Sequence, residues 1–318
     1  MRPLVIVNPR SGGRAPGAGA RYFADLRGVV ERRLGPVDVA FTARPGHAIE
    51  LARDGAAAGR ALVVAVGGDG TLHEVANGVL GAATDAVVGF IGQGTGGDLR
   101  RTLGIDHRLD AYLGAIAHGR PRRIDVGRAR YRALDGAPRE RWFINILSVG
   151  MSGLVDRHVA TTTKAFGGKA AYLWASTRAL ATSRRARVRC SAALGGAREE
   201  RHVESFVIAV CNGRYFGGGM HVAPMAVPDD RRFEVISIDA ASKLAFPGVM
   251  NGLHAGRHMG ARGVGHFACD AIAMELDDER ARGVFLLDVD GEPLGALPLE
   301  ITLVPGALAI CAPAPLAS

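Results

Sequence analysis

Through the first third of the chain, short runs of apolar, largely β-branched residues alternate with stretches whose apolar positions recur every three or four residues. Residues 4–7, 37–42, 61–66 and 86–91 read as strands. Helical periods follow them over about 19–34, up to about 58, from Leu72 through Val75, Ala76 and Val79, and briefly over 99–103. Strand, loop and helix in four successive units predict a parallel, doubly wound sheet with helices on both faces. Such sheets bind ligands at the loops leaving the carboxyl ends of their strands. The pattern breaks at Gly119-Arg120-Pro121, so a domain boundary is expected near 121–126. Beyond it apolar runs crowd together between Gly, Pro and Asp turns: 124–131, 142–147, 186–193, 203–210, 233–238, 267–276, 284–288 and 301–304. That spacing predicts an antiparallel sandwich. The expected fold class is therefore α/β plus all-β: an N-terminal doubly wound parallel α/β domain over 1–124 and a C-terminal antiparallel β-sandwich domain over 125–296.

The loops of the first domain carry its candidate chemistry. After the third strand come Gly67, Gly68, Asp69, Gly70 and Thr71. The glycines allow a tight turn, Thr71 can cap the following helix, and free backbone N–H groups at a helix start suit an anion. Asp69 inside such a turn would repel a phosphate unless a cation or ordered water mediates. The first strand runs into Asn8-Pro9-Arg10-Ser11-Gly12-Gly13, a second loop able to approach phosphate closely. Thr42 ends the second strand, and the fourth enters Gly92-Gln93-Gly94-Thr95-Gly96-Gly97-Asp98.

Composition narrows the classes. With 318 residues, 48% of them hydrophobic, the chain can bury two cores. No apolar run reaches the roughly 18 residues a spanning helix needs, and the strand opening at Leu4 follows no signal-peptide pattern. A cytoplasmic protein is expected. Cys190, Cys211, Cys269 and Cys311 lie far apart, which predicts neither a zinc site nor a disulfide framework. The net charge of +8, carried mostly by arginine, suits phosphate ligands and anionic membranes. No nucleic-acid partner is expected, because the densest basic cluster is only Arg184-Arg185-Ala186-Arg187 and lacks interleaved aromatics. His254 and His258 stand four apart but lack the glutamate of a zinc helix.

The loop Gly67–Thr71 resembles the GGDGT signature shared by diacylglycerol, sphingosine and ceramide kinases, NAD kinases and, more distantly, phosphofructokinases. Four further elements follow the order of the bacterial-type diacylglycerol kinase family. These are NPxxG at Asn8, Pro9 and Gly12; GTxxD at Gly94, Thr95 and Asp98; a track from Asn212 through Gly217-Gly218-Gly219 and Pro224 to Asp229-Asp230; and DGE at Asp290-Gly291-Glu292. FTARPGHA around Thr42 and a GKxAY-L segment at 168–180 agree with it. Three positions depart: Gly97 stands for asparagine, Arg100 for alanine and Arg231 for glycine.

The resemblance implies transfer of the γ-phosphoryl group of ATP to a lipid hydroxyl, diacylglycerol-like, in a cleft between the domains, with about 297–318 returning to the first domain. It places Asn8, Pro9, Gly12, Thr42, Gly67, Gly68, Asp69, Gly70, Thr71, Gly94 and Thr95 around ATP, with Asp69 ordering water and Mg²⁺. It gives Asp230 a structural magnesium and makes Asp290 the general base, with Glu292 the alternative. The partners implied are a lipid substrate, peripheral contact with the inner membrane face, and a homodimer. NAD kinase is the nearest rival, although no Asn-Glu dipeptide occurs here. A different small-molecule kinase and a non-catalytic nucleotide-binding module stay open as well.

Overall fold

A computed structural model describes residues 1–13, 18–94, 96–161, 178–179, 181–239, 248 and 252–313. Thr95 and most of the 168–180 segment therefore lie outside the described residues. The chain divides into two compact units, Met1–Val126 with Pro305–Ser318, and Gly127–Val304.

The first unit contains β1 (Leu4–Val7), α1 (Ala18–Leu34), β2 (Asp38–Phe41), α2 (His47–Ala57), β3 (Leu62–Gly67), α3 (Asp69–Ala82), β4 (Val87–Gly92), α4 (Asp98–Thr102) and α5 (Leu109–His118). Its strands pair in parallel in the order β2-β1-β3-β4. The chain thus leaves β1 toward one side and returns to β3 on the other, which makes the β1 and β3 loops the topological switch point. Val5, Ile6, Val63, Val64, Ala65 and Val66 are fully buried, as expected for strands covered on both faces. Helices α2 and α3 approach so closely that a methyl group at Gly78 would lie 2.3 Å from the Ile49 carbonyl oxygen. A side chain there would drive the two helices apart.

The second unit begins within β5 (Arg120–Ala133). It continues through β6 (Pro138–Phe143), β7 (Ile146–Gly150), α6 (Met151–Thr161), β8 (Ala186–Leu194), β9 (Ala197–Ser205), β10 (Val207–Cys211), β11 (Phe233–Ile238), β12 (Val264–Cys269), β13 (Ala271–Leu276), β14 (Leu286–Val289) and β15 (Glu292–Ala312). One antiparallel layer runs β12-β11-β10-β7-β14-β15. The pairs β9-β8, β8-β13 and β13-β15 build the other. Alternate residues of β7 separate into two cores. Leu147 and Val149 join Ile208, Phe233, Val188 and Met274 between the layers, while Ile146 joins Ala209, Ile236 and the α6 residues Leu154 and Val155 on the outer side.

Several boundaries differ from the pattern. The break expected at Gly119-Arg120-Pro121 opens β5, which runs on into the second unit. The return to the first unit falls at Pro305 rather than about 297, because β15 is continuous to Ala312 and Ile310 pairs in parallel with Val88 of β4. The apolar runs 142–147, 203–210 and 267–276 each divide into two strands. The residues beside those corners, Phe143, Ile146, Phe206, Val207, Cys269 and Ile272, are buried, so hydropathy alone does not mark the turns.

Candidate functional site

At the carboxyl ends of the parallel strands, three loops are tied together by hydrogen bonds. The Asn8 backbone N–H donates to the Val66 carbonyl at 3.0 Å, and its side-chain amide donates to the Thr71 hydroxyl at 3.0 Å. Gln93 N–H donates to the Gly67 carbonyl at 2.8 Å, and the Ser11 hydroxyl reaches the Gln93 side-chain oxygen at 2.8 Å. Asp69 accepts from the Gly97 N–H at 2.6 Å. Thr42 N–H donates to the Val7 carbonyl at 2.9 Å, which holds the second loop beside the first. Asn8, Thr42, Gly67–Thr71 and Gly94 thus share one end of one sheet.

Helix α3 begins at Asp69 with Gly68 as its cap, so Thr71 lies inside the first turn. The capping expected of Thr71 is therefore not its role. Its hydroxyl receives Asn8 instead, and it crowds Gly67, where an added methyl would sit 2.4 Å from the hydroxyl oxygen. Gly68 and Gly70 behave differently. A methyl at either meets no atom of the described residues within 4 Å, and Gly68 has an extended backbone that any residue adopts. The fold does not require glycine at these two positions. What their missing side chains leave clear is backbone N–H at the start of a 14-residue helix, the arrangement that accepts phosphate.

The two departures in the fourth loop are neighbours. Gly97 has a left-handed backbone (φ 71°), and a methyl there would lie 2.7 Å from Nε of Arg100. The larger residue at 100 thus occupies room that a side chain at 97 would take. Arg100 donates to the Ile105 carbonyl at 2.7 Å, and Arg101 to the Gly96 carbonyl at 2.6 Å and Asp98 at 2.9 Å. Burial pushes the Tyr112 phenol up to about 12; Arg100 and Arg101 pull it down and Asp69 pushes it up. Sequence reasoning noted Arg100 only as a departure and missed Arg101 and Glu74. From the second turn of α3, Glu74 accepts from Gly46 N–H at 2.9 Å and Ala48 N–H at 3.0 Å. It thereby supplies α2 with the cap that Gly46, lacking a side chain, cannot provide. The signal was an acidic residue one turn after the glycines.

In the second unit, Asp290 and Gly291 are the two central residues of the β14–β15 hairpin and both have positive φ (51° and 90°), the requirement of a tight two-residue turn. The Asp290 carboxylate accepts three backbone N–H groups, from Ile144 at 2.9 Å, Asn145 at 3.0 Å and Ile146 at 2.9 Å. This grip explains the break between β6 and β7. Asn212 donates to the Ile144 carbonyl at 2.9 Å, so the asparagine of the glycine track and the aspartate of the late turn hold the same loop. Buried Asp288 accepts from the Gly291 N–H at 2.7 Å and from the Ser148 hydroxyl at 3.1 Å.

Asp230 is committed differently from its expected metal role. Arg232 donates to it through both backbone, at 3.3 Å, and guanidinium, at 3.1 Å, and also pairs with Glu234. Arg231 takes the left-handed conformation (φ 64°) where glycine was expected. The Arg232 cation is shared between Asp230 and Glu234, and burial raises the Asp230 carboxyl above its ordinary range, with Arg232 pulling it down. Among the described residues no group of three or more His, Cys, Asp or Glu side chains is placed to hold a metal. The described contacts of Asp230 are with Arg232, and a magnesium there would share the carboxylate with that guanidinium. His254 is exposed while His258 is buried and bonded to the Val222 carbonyl, so they form no metal pair.

Residues 2–129 match the model of the diacylglycerol kinase catalytic domain, and residues 145–312 match that of the YegS C-terminal NAD kinase beta sandwich-like domain. The chain belongs to the YegS-like diacylglycerol kinase family. A relative from Pseudomonas aeruginosa (strain UCBPP-PA14), named "Probable lipid kinase YegS-like", is 31% identical over 87% of this chain and 84% of its own. One from Pseudomonas fluorescens with the same name is 28% identical over 91% of each. The crystal structure of a Bacillus anthracis diacylglycerol kinase superposes with a TM-score of 0.67 at 20% identity, covering 98% of this chain and 96% of that one. That likeness supports the fold. As a YegS-like family member the chain is of the lipid-kinase kind, and its GGDGT, NPxxG and DGE elements are the ones whose contacts are described above.

Proposed function

We propose that this protein transfers the γ-phosphoryl group of ATP to the hydroxyl of a diacylglycerol-like lipid. The observation that carries the nucleotide half is the clear backbone at Gly68 and Gly70: glycine where the fold would tolerate a side chain, at a helix start on a switch-point loop. Phosphoryl transfer asks the protein mainly to align its reactants and neutralise charge. In this reading the loops after β1, β3 and β4 cradle the phosphates. Asp69, anchored by the Gly97 N–H, orients water around them. A divalent cation arriving with the nucleotide would supply charge neutralisation, held through Asp69. The hydroxyl gives its proton to the late turn, with Asp290 as base and Glu292 the alternative.

The test is incubation of purified protein with γ-labelled ATP and separate acceptors: diacylglycerol, ceramide, sphingosine and NAD. Label is expected in a lipid monoester, foremost that of diacylglycerol. Label in NAD alone would replace this reading with that of an NAD kinase.

A further inference from the structure

The strands β5 and β6 form a two-stranded hairpin whose outer edge, β6, pairs with β5 alone among the described strands. Residues 127–143 hold five arginines (128, 130, 132, 139, 141) against two acids, Asp135 and Glu140. The cross-strand register puts Arg128 opposite Trp142, Arg130 opposite Glu140 and Arg132 opposite Pro138 on one face. The other face turns Ala129 and Tyr131 into the core. Both acids are already shared out, Glu140 to Arg128 (2.9 Å) and Arg130 (3.3 Å), and Asp135 to Arg139 (3.4 Å). Arg132 donates to the Gly136 carbonyl at 3.2 Å and has no acidic partner among the described residues. Arg128 lies 5.6 Å from the Trp142 ring centroid, and Leu134 is 62% exposed at the hairpin tip.

An apolar tip followed along one face by surplus arginine matches the order met by a hairpin entering an anionic bilayer surface tip first. The hairpin β8–β9 offers an internal contrast. Residues 186–205 carry four arginines against three glutamates, so that hairpin has little net charge to offer. The position of β5–β6 also matters. Strand β6 leads directly into Ile144 and Asn145, which grip Asp290, and Gly295, just beyond the late turn, packs so tightly that a methyl would lie 2.2 Å from the Arg132 carbonyl oxygen.

We propose that the β5–β6 hairpin docks this protein on anionic membrane lipid, with Leu134 entering the interface and Arg130 and Arg132 meeting headgroups. The choice of a lipid surface rests on the lipid-kinase reading. The docking itself is measured without ATP or turnover, so the two can fail separately.

The experiment is co-sedimentation of the full chain with phosphatidylglycerol–phosphatidylcholine vesicles and with pure phosphatidylcholine vesicles, across a salt series. Wild type should bind the anionic vesicles and be released by salt. Arginine near such a surface is worth roughly fivefold in binding, so Arg130→Gln with Arg132→Gln should weaken partitioning by about 25-fold. Leu134→Ser should weaken binding to anionic vesicles while keeping its salt dependence. Arg198→Gln with Arg201→Gln in β9 should bind as wild type. Activity on a short-chain diacylglycerol dispersed in detergent should be unchanged in all of these variants.

Four results would overturn the proposal: no binding by wild type, undiminished binding by the β5–β6 variants, equal loss of activity on the dispersed substrate, or conversion of a dimer to a monomer by these substitutions without lipid. Preferential binding to duplex DNA or RNA over vesicles would overturn it as well. Vesicle binding by a protein that phosphorylates no lipid would leave the docking surface standing and sink only the kinase reading.

Discussion

Gly68→Ala separates a ligand requirement from a folding requirement. At Gly68 the added methyl meets nothing among the described residues within 4 Å, and φ −90° with ψ −172° is an ordinary extended conformation. By the protein's own packing, alanine should be tolerated: the gain of about 0.4–1 kcal/mol from narrowing the unfolded ensemble offsets the poorer N-capping of alanine, leaving stability within about 1 kcal/mol of wild type. If phosphate approaches the backbone here, the same methyl displaces it from at least one charge-assisted hydrogen bond. Each such bond is worth about 1.5–3 kcal/mol, which corresponds to roughly 10- to 150-fold in affinity. Gly70→Ala, also without a protein neighbour within 4 Å, should behave alike. Gly78→Ala is the opposite control: its methyl collides with the Ile49 carbonyl at 2.3 Å, so it should lower stability by about 1–3 kcal/mol. Calorimetric titration with Mg-ATP beside thermal unfolding reads both quantities. A Gly68→Ala protein that melts as wild type and binds Mg-ATP equally tightly would refute the phosphate-loop assignment.

Further substitutions test the anchoring contacts. Asp290→Asn presents an amide to three backbone N–H donors, leaving at least one buried donor unsatisfied, so unfolding free energy should fall by about 1–3 kcal/mol. Its lipid phosphorylation should fall by about 10²–10⁴-fold if it is the base, with ATP affinity unchanged; Glu292→Gln should then do less. Asp69→Asn should leave the melting temperature near wild type yet remove most turnover, and near-normal turnover at saturating Mg-ATP would contradict its role. Burial, with Arg100 and Arg101 acting in the same direction, holds His107 below its ordinary pKa, and burial with Arg214 and His258 does so for His221. The unfolded chain therefore binds protons more readily, and stability should be full above about pH 6.5 and fall as pH drops below it, read by melting across a pH series. All four cysteines are buried, and burial pushes Cys190 and Cys269 to about 12 and Cys311 to about 11. Thiol reagents should label the native protein only on the timescale of unfolding.

Much of this was legible before any coordinates because it rests on local physics. Strand β1 falls where the pattern put it, and β3 and β4 within a residue of their expected bounds, since buried parallel strands read as unbroken apolar runs. The loops joining at one sheet end follow from parallel topology, so Asn8, Gly68, Asp69 and Gly94 could be grouped without side-chain geometry. Contacts distant in sequence were hidden. Nothing local marks the grip of Asp290 on Ile144–Ile146 or the cap that Glu74 supplies to α2, because donor and acceptor lie in different elements. The surroundings of Asp230 were hidden for a related reason. A motif shows the carboxylate but not the Arg232 guanidinium that bonds it. Gly97 and Arg100, which looked like two separate departures, share one volume.

ATP-dependent phosphorylation of a lipid hydroxyl is tested most directly by mass spectrometry of the lipid extract after reaction with Mg-ATP. Diacylglycerol heavier by one phosphate should form with wild type, be absent without ATP and be greatly reduced in the Gly68→Ala protein. Unmodified lipids throughout the panel, from a folded protein that binds Mg-ATP, would contradict it.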